Sequence, residues 1–500
     1  MKETEKYPES APNQKRNIPP YYVLGFILAV FVIMIGVMAV FPKDGIPIAN
    51  DVTLRFSSLD DLFNEDTSKV DMREVLADIE ELGIIDTIIP PGDSVNGAPE
   101  PEIAPNEVKK LQYPDGDRSV LYPVFEALST ASSGTSPVRV IHFGDSQIEG
   151  DRMTSLIRNE LQKKFGGSGS GLHPAVSAVP SFSLVQDKSE NFKRHPGFGK
   201  KNPEITHRRF GVTAAFAKYT PFYADSILDT IPATTGWLSI KKANACYGLA
   251  KSFNTLKLYY GHNQRPFLLK MFADQAKVSE DSIPAGTGLR TRTWYFDKTP
   301  DFVQFFFEGK DSPEIYGLSL ENSSGVLVDN IGLRGQSGTI FGGLDQSIFK
   351  GMLDQMNVKL LLMQFGGNTV PYIKGEKSAK NYGANFRRQI EYLKRIIPGV
   401  TVIVIGPSDM ATKIEGKFQT YPNLPAVRDA LKQAAFDTGS PYFDIYEVMG
   451  GRNSMMGWVE QKLAGSDYVH FSPSGAKKIA KTFVASFMED YEAYQRRAVQ

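Results

Sequence analysis

The chain has 500 residues, 41% hydrophobic and 22% charged, which is too long for one ordinary domain and apolar enough for a large core. Lys+Arg and Asp+Glu both number 56, so the formal net charge is zero and argues against a nucleic-acid partner. A single cysteine, Cys246, excludes an intrachain disulfide, and the six histidines show no metal-ligand spacing, so no metal or other cofactor is expected.

Residues 1–20 are polar, with four prolines, and read as a disordered cytoplasmic tail. Residues 21–41 carry no charge. At about 1.5 Å per residue they span about 30 Å, the thickness of a bilayer core. Lys15 and Arg16 precede the span, and Tyr21 and Tyr22 suit the interface. This predicts a single-pass membrane anchor with the N-terminus cytoplasmic and the catalytic part extracytoplasmic, in a periplasm or at a cell surface. A cleaved signal peptide is the rival reading, disfavoured by the long apolar run and the poor cleavage site. Residues 43–116 form a membrane-proximal region. It holds a short strand at 52–56, an amphipathic helix at 71–82 and a proline-rich linker at 89–105.

Residues 117–204 open an α/β pattern. A helix at about 117–131 precedes a buried strand at 138–143, which breaks at Gly144-Asp145-Ser146. Leu156, Ile157, Leu161 and Phe165 then fall at helical spacing, so Ser146 is expected at a strand-to-helix junction near unpaired helix N–H groups. The run from Gly166 to Gly171 lacks the Lys-Ser/Thr of a phosphate-binding loop and reads as a flexible loop. Residues 205–327 change character. Short aromatic-rich segments at 256–260, 267–272, 291–296, 302–307 and 315–320 predict an inserted β-sandwich. Its Trp237, Tyr259, Tyr260, Trp294 and Tyr295 could line a sugar-binding surface, although core packing is the commoner role. Residues 328–500 return to alternation, with helices at 345–356, 382–397, 424–438 and 473–496 and strands at 359–365, 400–405 and 442–446. Such alternation implies a mostly parallel sheet covered on both faces, shared with the strand at 138–143.

Three further stretches suit the functional edge of that sheet. Gly332-Leu333-Arg334-Gly335 can bring a backbone N–H to a ligand, and Gly366-Gly367-Asn368 puts an amide donor after a strand. Asp467 and His470 lie three apart before a helix started by Ser472 and Pro473, so a carboxylate can orient an imidazole. Taken in order, Gly-Asp-Ser, Gly, Gly-x-Asn and Asp-x-x-His resemble the SGNH (GDSL-type) hydrolases over about 137–200 and 328–490. Two positions depart from that family's pattern. Thr369 stands where Asp is frequent, and Leu333-Arg334-Gly335 where Val-Asn-Gly is frequent, which leaves Gly332 as a rival to Gly335.

The resemblance implies a three-layer α/β/α domain and an ester hydrolase. Ser146 would be nucleophile, His470 general base and acid, and Asp467 its orienter. Asn368 and Gly335 would form the oxyanion hole with the Ser146 N–H. A β domain inserted after the serine stretch is similar to the arrangement of bacterial peptidoglycan O-acetylesterases, where it is carbohydrate-binding-module-like. The implied substrate is an O-acylated envelope glycan such as peptidoglycan. An O-acetyltransferase on the same glycan, with an acetyl-transfer partner in the membrane, is the nearest alternative. A lipase or lysophospholipase and a non-catalytic glycan-binding protein are the others. The polar Gln147, Glu149, Asp151 and Arg152 disfavour a lipid enzyme.

Overall fold

Val138–Gly144 is buried along its whole length, as a strand covered on both faces must be. The computed structural model describes residues 46–49, 52–54 and 111–498. The strand lies inside a five-stranded parallel sheet, ordered Val326–Gly332, Val138–Gly144, Val358–Gln364, Thr401–Ile405, Tyr442–Phe443. In chain order this is 2-1-3-4-5, so the winding reverses between the first and third strands. In doubly wound sheets the crevice beyond the carboxyl ends at such a reversal is where ligands bind. Gly144 is in register with both Gly332 and Gln364, so the three strands end level there.

Side chains alternate across this sheet into two cores. Ile141, Phe143, Leu361, Met363, Val402 and Val404 face the helices Gln346–Asp354, Glu376–Ile396 and Leu424–Asp437. Val138, Val140, Leu360, Leu362, Ile403 and Ile405 face Tyr122–Ser129, Thr154–Phe165 and Pro473–Ala498. Glu376–Ile396 shows the pattern that makes this work, burying Ala379, Tyr382, Phe386, Ile390 and Leu393 along one stripe.

Between the first two strands of the sheet the chain forms two antiparallel sheets around a third core. Five strands run in the order Ala276–Ile283, Phe267–Ala273, Phe302–Gly309, Thr234–Lys242, Leu184–Lys188. The second sheet orders Gly286–Tyr295, Thr255–Asn263, Glu314–Glu321, Ala215–Lys218, Lys193–Pro196, with Gly171–His173 also paired to Glu314–Glu321. Strands thus join these sheets from Gly171 onward, ahead of the boundary at 205 expected from sequence. Leu184–Lys188 has no aromatic residue and buries only Leu184, so it lacks the signal that marked the later strands. Tyr260 and Trp294 are core residues of the sandwich, and Tyr259 is buried in the core it shares with Gln346–Asp354, so none of the three is a sugar platform, whereas Tyr295 is 78% exposed.

Other expectations need adjusting. After Ser146 the chain makes a tight turn and the short helix Glu149–Asp151 before the α-helix begins at Thr154, so the serine does not sit at that helix's N-terminus. Gly150 (φ 70°) and Asp151 (φ 69°) are left-handed and interrupt the helix. Residues 442–446 split into the strand Tyr442–Phe443 and the helix Ile445–Met449. The glycine run is a packed connection, not a loose loop: Gly167 lies against Val326 and Gly169 against Leu320.

The chain divides into two compact units, 1–70 and 71–500. Of the first, the structure describes an antiparallel pair, Ile46–Ala49 with Val52–Leu54. The tail at 1–20, the apolar span at 21–41, the helix at 71–82 and the linker at 89–105 lie outside the described residues. Among the described residues no helix is long and apolar enough to cross a membrane.

Candidate active site

Ser146 follows the end of the first strand by two residues and is half-buried. Its turn is closed by Ile148 N–H to Asp145 O (3.4 Å) and Glu149 N–H to Ser146 O (3.4 Å). The Ser146 Oγ lies 2.8 Å from His470 Nε2, and His470 Nδ1 lies 2.7 Å from Asp467 Oδ2. Asp467 Oδ1 also accepts the Val469 and His470 N–H groups, both at 3.0 Å. Burial pushes the Asp467 carboxyl up, but the His470 hydrogen bond, these two N–H groups and the His470 charge outweigh it and hold it at about 2. An ionised carboxylate only accepts, so His470 Nδ1 carries the proton and Nε2 is left to accept from Ser146 Oγ.

The loop carrying Asp467 and His470 is tightly made. Gly465 N–H donates to His470 O (2.8 Å), Tyr468 is left-handed (φ 56°), and Ser472 Oγ caps the last helix through Gly475 N–H (3.2 Å). Tyr468 stacks on Phe418 at 3.8 Å between ring centroids, and Ala411 N–H donates to Tyr468 O (3.0 Å). The hairpin Ala411–Ile414 and Lys417–Thr420, which sequence reading did not anticipate, therefore buttresses the histidine loop.

Asn368 ends the third-strand turn, where Gly366 (φ 121°) packs against Leu431 and Gly367 faces the Asp145 carboxyl. Its Nδ2 donates to Gln336 O (3.1 Å), the residue after Gly335. Gly335 is left-handed (φ 79°), and Tyr382 Oη fixes the same turn through Ser337 O (2.7 Å). The geometry thus joins the Asn368 amide to the Gly335 turn, while Gly332 ends its strand against Glu149. Among the described residues no cluster of three or more His, Cys, Asp or Glu could hold a metal ion.

Several residues here carry no sequence signature. Gln147 is buried and holds the histidine loop from both sides of His470. Its Nε2 donates to Val469 O (2.6 Å) and Ser408 Oγ (3.1 Å), and its Oε1 accepts Phe471 N–H (3.2 Å). Arg152 ties the serine turn to the same loop, donating to Ser146 O, Glu149 O (2.9 Å) and Phe471 O (3.3 Å). Burial raises the Asp145 carboxyl to about 6, against the lowering effect of Gln147 N–H, His470 and Arg152. The polarity of 147–152 was their only signal, and it serves internal bonding: Gln147, Glu149 and Asp151 are all buried.

The GDSL-like Lipase/Acylhydrolase family matches residues 281–478, a span that includes Asn368, Asp467 and His470 but not Ser146. The fold and the family match together support an ester hydrolase, similar to the SGNH (GDSL-type) class. Within it the chain resembles the peptidoglycan O-acetylesterases. A solved structure of one is 17% identical, covers 77% of this chain and 99% of its own, and superposes with a TM-score of 0.59. A family two carbohydrate esterase from Clostridium thermocellum, in complex with cellohexaose, is 9% identical over 60% of this chain and 98% of its own, with a TM-score of 0.24. A putative GDSL-like lipase from Parabacteroides merdae is 15% identical over 33% of this chain and 73% of its own, at 0.27. No curated protein matches the chain by sequence.

Proposed function

We propose that this protein removes O-acetyl groups from a cell-envelope polysaccharide such as peptidoglycan by an acyl-enzyme mechanism. The observation that carries the reading is the unbroken chain from Ser146 Oγ through His470 to Asp467, at 2.8 and 2.7 Å. Ser146 Oγ attacks the acetyl carbonyl as His470 Nε2 takes its proton. The imidazolium, steadied by Asp467, returns that proton to the leaving sugar alkoxide. Water, deprotonated by the same imidazole, then attacks the acetyl-enzyme and releases acetate. The oxyanion is assigned to the Ser146 and Gly335 N–H groups and the Asn368 amide. An amide carries two N–H donors, so one can hold Gln336 O while the other serves the oxyanion. Each such donor is typically worth about 3 kcal/mol in the transition state.

The glycan assignment draws on the likeness to the peptidoglycan O-acetylesterase structure. The uncharged span at 21–41, with its preceding Lys15 and Arg16, supports anchoring in a membrane with the hydrolase domain extracytoplasmic. The test is acetate release by the full chain from a chromogenic acetyl ester and from O-acetylated peptidoglycan. Ser146→Ala should lower both rates by at least about 1000-fold. A mutant as active as the parent would overturn the nucleophile, and activity on the small ester alone would overturn the glycan.

A further inference from the structure

One turn beyond the nucleophile a narrow cleft of about 60 Å³, room for a single carboxylate group, separates the hydrolase from the inserted sandwich. Glu149, Asn330 and Gly332 line it from the hydrolase side, and His173, Ser177 and Arg194 from the sandwich. Glu149 belongs to the serine turn, since its N–H donates to Ser146 O (3.4 Å).

Arg194 is the unusual member. It sits on Lys193–Pro196, the edge strand of the six-stranded sheet. Its Nε is buried and has no hydrogen-bond partner. Among the described residues no carboxylate forms a salt bridge with it. The nearest acid in electrostatic terms is Glu149. Both Glu149 oxygens are already engaged by Arg334, whose Nε is 3.1 Å from Oε1 and whose Nη2 is 2.5 Å from Oε2. The Phe198 ring lies 5.8 Å from the Arg194 guanidinium and helps fix its position. A guanidinium stays charged, and taking one out of water without a counter-charge is costly unless something supplies it. A planar carboxylate is the natural complement, since it can accept two parallel N–H bonds.

We propose that this cleft is an acidic-sugar subsite, in which Arg194 binds a carboxylate of the same glycan whose acetyl ester meets Ser146. The assignment rests on the esterase reading above and narrows its substrate to glycans with free carboxylates. The carboxylate could sit on the ring, as in a uronate, or on a lactyl ether, as in muramic acid. Arg194 is then a specificity residue outside the reacting atoms, and its effect falls on KM for acidic polymers.

Binding is measured first, by calorimetry on Ser146→Ala full chain, with trigalacturonate, N-acetylmuramic acid and the neutral N-acetylglucosamine. At least one acidic probe should bind more tightly than the neutral one, and added Arg194→Gln should abolish that preference. Arg194→Lys should restore part of it. If neither acid is preferred, or if Arg194→Gln binds them as well as the parent, the subsite is overturned. This arm does not need catalysis, so it stands apart from a failure of the esterase reading. In the otherwise native chain, Arg194→Gln should leave the chromogenic acetyl ester within about twofold. It should raise KM for O-acetylated polygalacturonate or peptidoglycan about tenfold and leave O-acetylated glucomannan unchanged. An equal change on acidic and neutral polymers would instead assign Arg194 a structural role, and thermal melting of both variants detects it.

Discussion

Gln147 follows Ser146, the proposed nucleophile, and its amide holds the backbone on both sides of His470. A general base must stay within hydrogen-bond reach of its proton, and a displacement near 1 Å can cost on the order of 100-fold. Gln147→Ala should therefore lower kcat on a chromogenic acetyl ester by about 10- to 100-fold while KM moves little. Gln147→Glu keeps an acceptor for Phe471 N–H but sets an acceptor against Val469 O, so it should be no milder than Gln147→Ala. The measurement is steady-state kinetics beside a melting curve. Loss of thermal stability with kcat intact would show that Gln147 only packs. Ser146, Asp467 and His470 were legible in the sequence because their residue types and order name a chemistry. Gln147 and Arg194 were not, because their roles arise from contacts between distant parts of the chain.

The glycines at 166–171 show what periodicity cannot see at the scale of an element. Gly166, Gly167, Gly169 and Gly171 all adopt positive φ, from 74° to 102°, and carry the chain from the helix Thr154–Phe165 into the sandwich. Their backbone lies hard against Glu314–Glu321 and Val326–Gly332: a Cβ on Gly169 would overlap the Leu320 carbonyl, and one on Gly171 the Asp329 carboxylate. Hydrophobic patterning marks which residues face a core but carries no record of φ or of close backbone approach, so a packed crossing read as a loose one. Strand and helix positions in the α/β part were legible for the opposite reason, since apolar runs and 3.6-residue stripes record burial directly. Two substitutions separate the contributions. Gly399→Ala meets φ 77° with nothing within 4 Å and should cost about 1–2 kcal/mol, the left-handed penalty alone. Gly169→Ala adds the clash and should lose clearly more in urea denaturation. Equal losses would show that the crossing yields without strain.

At the scale of the whole molecule, the question is whether sandwich and hydrolase fold as one. Arg139, on the first strand of the parallel sheet, is 2% exposed and meets Asp329 of the adjacent strand at 2.9 Å. It also pairs with Glu321, on the last strand of the sandwich, which takes further bonds from Lys257 (2.7 Å) and Ser319 (2.7 Å). This first strand of the hydrolase sheet thus leaves part of its charge to be balanced by the insert. Removing one partner of a buried pair typically costs about 3–5 kcal/mol, because the other charge stays behind. Burial alone would raise the Glu321 pKa, but Arg139 and Lys257 outweigh it and leave it lowered. Its contribution is therefore present above the ordinary glutamate range and is lost as pH falls below it. Tryptophans report on each part: Trp294 lies in the sandwich core and Trp458 in a hydrolase core. In two single-tryptophan proteins, one keeping Trp294 and the other Trp458, urea unfolding at pH 7 should give coincident transitions. Glu321→Gln should shift both by the same amount, about 3 kcal/mol, and the shift should shrink in acid. Separate transitions, or a shift confined to Trp294, would mean that the sandwich is an independent attachment. Coincidence would explain why excising the insert should cost the hydrolase its fold, and small-ester activity with it.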